Sequence, residues 1–376
     1  MKIVLTGGGT GGHFYPLIAV AEEIRAKAEA EKLFDVELYY LSDSPYSTRV
    51  LYEHRITFVP VSAGKMRRYF SIKNIFDPFK SLWGVWKALR TVYHLYPDVV
   101  FSKGGYASFP TVLASRIFGI PLIIHESDSY PGRANLWAGK FATKVVVSFP
   151  EAAKFFKAEK VLIAGNPIRK ELLSPIRDGA REFFHFTETN LPVLLIVGGS
   201  SGSEKINNAI IEVLPQLVEK YQVVHQTGKN NFEQVKAITM TRLEKSAHRD
   251  RYFPTDYLSE TATRMGAGLA TLIISRGGGM IFEIAAWDTP AIVIPIADSN
   301  GDHQRKNAFS YARSGAAIVI EEHNLTPHVL LSEIDRVMQN PSLQDEMRKG
   351  AKTFARPEAA KKVADEILKI ALQHEK

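Results

Sequence analysis

A short, largely apolar run, Met1-Lys2-Ile3-Val4-Leu5, ends in Thr6-Gly7-Gly8-Gly9-Thr10-Gly11-Gly12-His13 and continues into Pro16-Leu17-Ile18-Ala19-Val20-Ala21-Glu22-Glu23-Ile24. A run this short reads as a strand buried on both faces of a parallel sheet. The segment from Pro16 reads as a helix, so the order is strand, glycine turn, helix. That order commits the chain to an α/β fold, because a parallel strand needs a crossover to reach its neighbour. The glycines permit a tight turn, and the helix N-terminus can receive an anion. Gly7, Gly9 and Gly12 satisfy G-x-G-x-x-G, and Asp43 follows the second strand as a candidate ribose ligand. An NAD-type dinucleotide site is therefore one reading, and an ordinary tight turn is the other. His13 fits neither, since a dinucleotide loop needs no imidazole there.

The same rhythm continues. Strand-like runs fall at 37–41, 57–61, 98–102, 121–126 and 144–148, which with the first makes six joined by helical segments: a doubly wound parallel sheet. Gly165-Asn166-Pro167 then reads as a turn and hinge. The pattern restarts at Pro192-Val193-Leu194-Leu195-Ile196-Val197, followed by Gly198-Gly199-Ser200-Ser201-Gly202-Ser203, with further strands at 222–226, 272–275, 291–294 and 317–320. A last helix is expected from Pro357 to Gln373. At 376 residues, two domains are the natural division: 1–164 joined by 357–376, and 165–356. Open α/β sheets bind ligands at the carboxyl ends of their strands, so two such domains would place a site in the cleft between them.

Composition narrows the chemistry. There is no cysteine, which excludes disulfides and thiolates and favours a reducing compartment. No apolar stretch reaches the roughly 18 residues of a membrane span, and the N-terminus does not resemble a secretory signal. A net charge of +7 suits an anionic partner. Residues 65–90 concentrate it: Lys65, Arg67, Arg68, Lys73, Lys80, Lys87 and Arg90 interleave with Tyr69, Phe70, Phe76, Phe79, Trp83 and Trp86, with Asp77 the sole acid. Cations among bulky rings suit an anionic bilayer surface, with Arg67, Arg68, Phe70, Lys73, Phe76, Phe79 and Trp83 on the membrane face. A core helix with a solvated basic face is the plainer reading, and no groove-reading helix or RNA-binding signature supports nucleic acid.

The most specific stretch is Ile273-Ile274-Ser275-Arg276-Gly277-Gly278-Gly279-Met280-Ile281-Phe282-Glu283, followed by Pro290, Pro295 and His303-Gln304-Arg305-Lys306-Asn307. The glycine turn offers backbone amides to a phosphate. Glu283, one turn into the next helix, can accept both hydroxyls of a ribose, and His303 and Gln304 open another helix at the same edge. This ordered set resembles the nucleotide-sugar site of GT-B glycosyltransferases. Within them the whole chain is similar to the family 28 enzymes of peptidoglycan synthesis. These move N-acetylglucosamine from UDP-GlcNAc to undecaprenyl-diphospho-N-acetylmuramoyl pentapeptide (lipid I), giving lipid II.

The resemblance runs nearly end to end: Gly8 to His13, Lys103-Gly104-Gly105-Tyr106, His125-Glu126 with Asn135, Gly165 to Arg169, Gly198-Gly199-Ser200, Tyr257-Leu258, and Arg276 to Gln304. It implies donor contacts from Thr10, Gly11, Gly12, Asn135, Arg169, Ser200, Leu258, Arg276, Gly278, Glu283, His303 and Gln304. Acceptor diphosphate contacts are implied for Gly8, Gly9, Lys103, Gly104, Gly105 and Tyr106. Glu283 would take the ribose, Ser200 and Arg169 the diphosphate, and Gln304 the sugar hydroxyls. Ser127-Asp128 stand where the family usually has Gln-Asn, Ser201-Gly202-Ser203 where it has Gln-Gly-Ala, and the donor turn is all glycine.

The reaction so implied is an inverting single displacement. It needs a base for the acceptor hydroxyl, an oriented anomeric carbon and positive potential for departing UDP. His13 is the leading base because an imidazole titrates near neutral pH; Glu126 is the alternative, or orients His13. No Asp-x-Asp occurs, so no metal or other cofactor is expected. The resemblance also implies the cytoplasmic face of the inner membrane and cell-wall synthesis proteins as surroundings. Two other readings remain at this point: a GT-B enzyme with another lipid acceptor such as diacylglycerol, and an NAD-dependent oxidoreductase.

Overall fold

The computed structural model describes residues 1–8, 10–33, 35–64, 73–199 and 201–374, and the side chains of 71–81, Asn300 and His374 lie outside that description. The chain forms two units: Met1–Arg169 with Arg356–Lys376, and Lys170–Ala355.

Unit 1 contains seven parallel strands: β1 Lys2–Thr6, β2 Glu37–Ser42, β3 Ile56–Pro60, β4 Val99–Ser102, β5 Leu122–Glu126, β6 Lys144–Val147 and β7 Val161–Ile163. Their order is β3-β2-β1-β4-β5-β6-β7. The middles of the central strands are apolar because both faces are covered, and their polar residues fall at the ends. On one face, Ile3, Leu5 and Phe101 meet Leu17, Ile18 and Ile24 of the helix Gly11–Ala30 and Val363, Ala364, Ile367 and Leu368 of the helix Ala359–His374. On the other, Val4, Val100 and Ile124 meet Ala88 and Val92 of the helix Lys73–Leu95 and Val112 of the helix Phe109–Ile117. The last helix is tied further by Lys27 Nζ to Asp365 Oδ1 at 2.5 Å.

Unit 2 repeats the plan with six strands: β8 Val193–Val197, β9 Gln222–Gln226, β10 Tyr252–Thr255, β11 Ala270–Ser275, β12 Ala291–Val293 and β13 Ala317–Val319, ordered β10-β9-β8-β11-β12-β13. One face is covered by Ile206, Ile210, Val213 and Leu217 of the helix Glu204–Lys220 and by Leu330, Ile334 and Val337 of the helix Pro327–Met338.

Both sheets exceed the strands read from the sequence by one. β7 is a three-residue edge strand, only partly buried, so no long apolar run announces it. β10 contains Pro254, which cannot donate to a ladder and is tolerated because β10 is an edge. The first helix begins at Gly11, not Pro16, with Pro16 buried inside it, and the last begins at Ala359, two residues after Pro357.

Candidate functional site

In each sheet the strand order reverses between two neighbours, β1 with β4 and β8 with β11. The turns after those four strands are the four glycine turns: Gly7–Gly12, Lys103-Gly104-Gly105, Gly198–Gly202 and Arg276–Gly279. A switch point is where adjacent crossovers leave on opposite faces and open a crevice at the carboxyl edge. The glycines therefore stand where each fold exposes backbone amides.

In unit 1 the two turns touch. A methyl group on Gly105 would stand 3.3 Å from Gly8 Cα and 3.7 Å from His13 Nε2. His13, half-buried in the first turn of its helix, has Nδ1 2.9 Å from Thr10 Oγ1. Its Nε2 lies on the side of Gly105. Tyr106 donates to Asp43 at 2.8 Å, so the carboxylate considered for a ribose instead ties β2 to the second turn. Arg169 stacks on Tyr15, its guanidinium carbon 4.2 Å from the ring centre, two residues along the helix from His13.

Glu126 ends β5 and is buried. Its Oε1 accepts from Asp128 N at 2.9 Å, and its Oε2 from Gly132 N at 3.0 Å and Asn135 Nδ2 at 2.9 Å. Burial, and then the Asp128 charge, push its carboxyl above the usual range, while these hydrogen bonds oppose the shift. The residue is the core of the 127–132 loop. Asn135, expected at the donor, also donates to His125 O at 3.0 Å, tying the helix Arg133–Ala138 to the end of β5.

Lys103 opens the second glycine turn. It was expected on the acceptor diphosphate, but its side chain is 1% exposed. Its Nζ lies 2.6 Å from His125 Nδ1 and donates to Asn166 Oδ1 at 3.0 Å. Burial pulls its pKa down to about 7, against the fields of Glu126 and Asp128. Burial, and next the Lys103 charge, hold His125 well below the ordinary imidazole value.

In unit 2, Arg276 is likewise turned inward. It donates to Ile294 O at 3.0 Å, Ser203 Oγ at 2.5 Å and Glu322 Oε1 at 2.8 Å. It thus joins the two glycine turns: Ser203 caps the helix after one, and Arg276 opens the other. Lys205 also reaches Glu322, at 3.1 Å. Arg276, expected at the donor, thus braces the two turns from within. Gly277 is required by close approach, since a Cβ there would lie 2.2 Å from Gln304 O. Asn307 Nδ2 donates to Gly277 O at 3.3 Å, and Ile296 N to Gln304 Oε1 at 3.2 Å. The donor turn and the start of the helix His303–Ala312 are therefore one assembly, with Gly278, Glu283, His303 and Gln304 all partly exposed.

Gln226 was missed from the sequence. At the end of β9 it donates to Gly199 O at 2.8 Å and accepts from Leu258 N at 3.2 Å, linking the third turn to Tyr257-Leu258. Its signal was a polar pair, His225-Gln226, closing an apolar strand at the carboxyl edge.

Gly9, Ser200, Arg67, Arg68 and Phe70 lie outside the described residues, and for Lys73, Phe76 and Phe79 only the helical backbone is described. Beyond them the helix presents Trp83, 61% exposed, stacked on Trp86 at 5.0 Å between ring centres. Arg90 stands 6.0 Å from the Trp86 ring, and these residues line an open groove of about 480 Å³ with Val59, Lys87 and His94. Among the described residues no helix is long and apolar enough to cross a membrane, and no His, Cys, Asp and Glu group of three or more is placed to hold a metal ion.

Comparison with known proteins follows the same division. Residues 3–147 match the N-terminal domain of glycosyltransferase family 28 and residues 193–363 its C-terminal domain. The UDP-N-acetylglucosamine–N-acetylmuramyl-(pentapeptide) pyrophosphoryl-undecaprenol N-acetylglucosamine transferase of Clostridium kluyveri is 38% identical over 340 residues, 89% of this chain and 91% of that protein. The protein of the same name from Clostridium perfringens is 38% identical over 341 residues, covering 90% of each. The crystal structure of Acinetobacter baumannii MurG superposes with a TM-score of 0.72 at 27% identity, covering 98% of this chain and 99% of that one. The UDP complex of Staphylococcus aureus MnaA, at 15% identity and a TM-score of 0.70, shares the fold. With both domain models matched in order on a GT-B architecture, the chain belongs to glycosyltransferase family 28.

Proposed function

We propose that the chain transfers N-acetylglucosamine from UDP-GlcNAc to lipid I, giving lipid II for peptidoglycan. One observation carries the reading: each unit has its own pair of glycine turns at its switch point, which suits two substrates that each bring a diphosphate. The turns of unit 2, with Glu283 one turn into its helix, suit the nucleotide sugar. Those of unit 1, the unit that also carries the exposed Trp83 and Trp86, suit the lipid-linked acceptor.

The muramoyl hydroxyl attacks the anomeric carbon, the glycosidic bond forms with inversion, and UDP leaves. His13 Nε2 takes the hydroxyl proton, with Thr10 fixing the other ring nitrogen. Glu126 spends both oxygens on its own loop, which favours His13 for this role. Glycine-loop amides and Arg169 receive the developing negative charge. The Trp83–Trp86 surface, with Lys87 and Arg90, rests on an anionic membrane on the cytoplasmic side, near other cell-wall enzymes.

UDP release measured with UDP-GlcNAc, with and without lipid I, tests the reading. Release that depends on lipid I is expected. Release driven instead by diacylglycerol, or by neither lipid, overturns it.

A further inference from the structure

Lys103 is placed unlike a phosphate ligand. Its backbone opens the second glycine turn, yet its ammonium lies inside unit 1 against two other chain segments. His125 Nε2 donates to Gly165 O at 3.0 Å, so Nδ1 is the lone pair that accepts from the ammonium. The second donation goes to Asn166. One cation thus joins the turn after β4, the end of β5 and the segment by which the chain leaves unit 1. A buried cation is costly unless compensated, and Glu126 and Asp128 provide the compensating field. Three residues beyond Asn166, Arg169 stacks on Tyr15.

We propose that Lys103 is a positioning residue for glycosyl transfer: its ammonium braces the second glycine turn against Gly165-Asn166 and so holds Arg169 against Tyr15, in the helix whose first turn carries His13. The proposal rests on the transferase reading above. A group that sets geometry affects the chemical step, so its loss falls on kcat and leaves substrate affinity largely intact.

The test compares full-length wild type with Lys103→Met, Asn166→Ala and the double variant, in UDP release with UDP-GlcNAc and lipid I. Each single variant is expected to lose about tenfold or more in kcat with both KM values within about threefold, and the double to be no worse than the worse single. A raised lipid KM with kcat retained overturns the proposal, because Lys103 then acts as a diphosphate ligand. Losses that multiply, or no loss, overturn it as well. Amide hydrogen exchange at 165–169 gives a readout independent of turnover: about tenfold faster exchange in Lys103→Met is expected, and unchanged protection sinks the brace. Wild type without turnover would defeat the transferase reading alone, and the exchange measurement would still decide the brace. Should Lys103→Met fail to fold, Asn166→Ala, which leaves the cation with His125, carries the same readouts.

Discussion

At the scale of single residues, His13 and Glu126 are separated by what their polar atoms already do. His13 has one nitrogen near Thr10 and the other beside Gly105. His13→Ala should lower turnover by about 10² or more while UDP binding, measured by calorimetry, changes little. Glu126 accepts three hydrogen bonds from its own loop and from Asn135. In Glu126→Gln an amide N–H must face at least one of those donors, at a cost of about 1–3 kcal/mol. A lowered melting temperature with loosened 127–132 protection is expected. If instead Glu126→Gln melts like wild type and loses as much turnover as His13→Ala, the two residues exchange roles. The carboxylate at 126 and the amide at 135 were visible in the sequence; that each serves the other was not, because nine residues of loop and helix separate them.

Among elements, the last helix shows how a segment distant in sequence completes a core. Leu368 is 1% exposed against the face carrying Ile18 and Ile24. Leu368→Ala should cost about 2–5 kcal/mol, read as a lower urea midpoint for unit 1. A cost confined to local fraying would show the helix to be peripheral. The strands that were not legible, β7 and β10, are both sheet edges. An edge strand is specified by the neighbour that pairs with it, and so it leaves a weak apolar signal of its own. The central strands were legible because burial on both faces demands continuous apolar runs.

At the scale of the whole molecule, two predictions concern surface and stability. The stacked Trp83 and Trp86 with Arg90 form an exposed aromatic and basic face. Trp83→Ala with Trp86→Ala should weaken binding to anionic vesicles, and reversing Arg67, Arg68 and Lys73 should weaken it most at low salt. Unchanged vesicle co-sedimentation removes the membrane face. His225 is fully buried between Tyr252 and Asn207, and burial holds its pKa down at about 3. The unfolded imidazole takes a proton near pH 6.5, which the folded one refuses until about pH 3. Its contribution to stability is therefore intact above pH 6.5 and declines as pH falls toward 3, by about 1.4 kcal/mol per unit. His125, also buried and held below the ordinary imidazole value, adds a slope of the same sign, so urea unfolding between pH 6.5 and 4.5 should show a dependence in His225→Gln that is shallower than wild type by about 1.4 kcal/mol per unit.

The amino-acid order by itself determined the α/β class, the central strands, the glycine turns that end four of them, and the family, because backbone geometry and two-sided burial act locally and leave a pattern in the chain. Only tertiary structure decided where the long polar side chains point. A lysine beside two glycines and an arginine before three look like phosphate ligands in sequence. Folded, Lys103 turns to His125 and Asn166, and Arg276 to Ser203 and Glu322. Their partners lie 22 to 73 residues away. A buried charge must find compensation wherever the fold supplies it, and no local spacing records where that is.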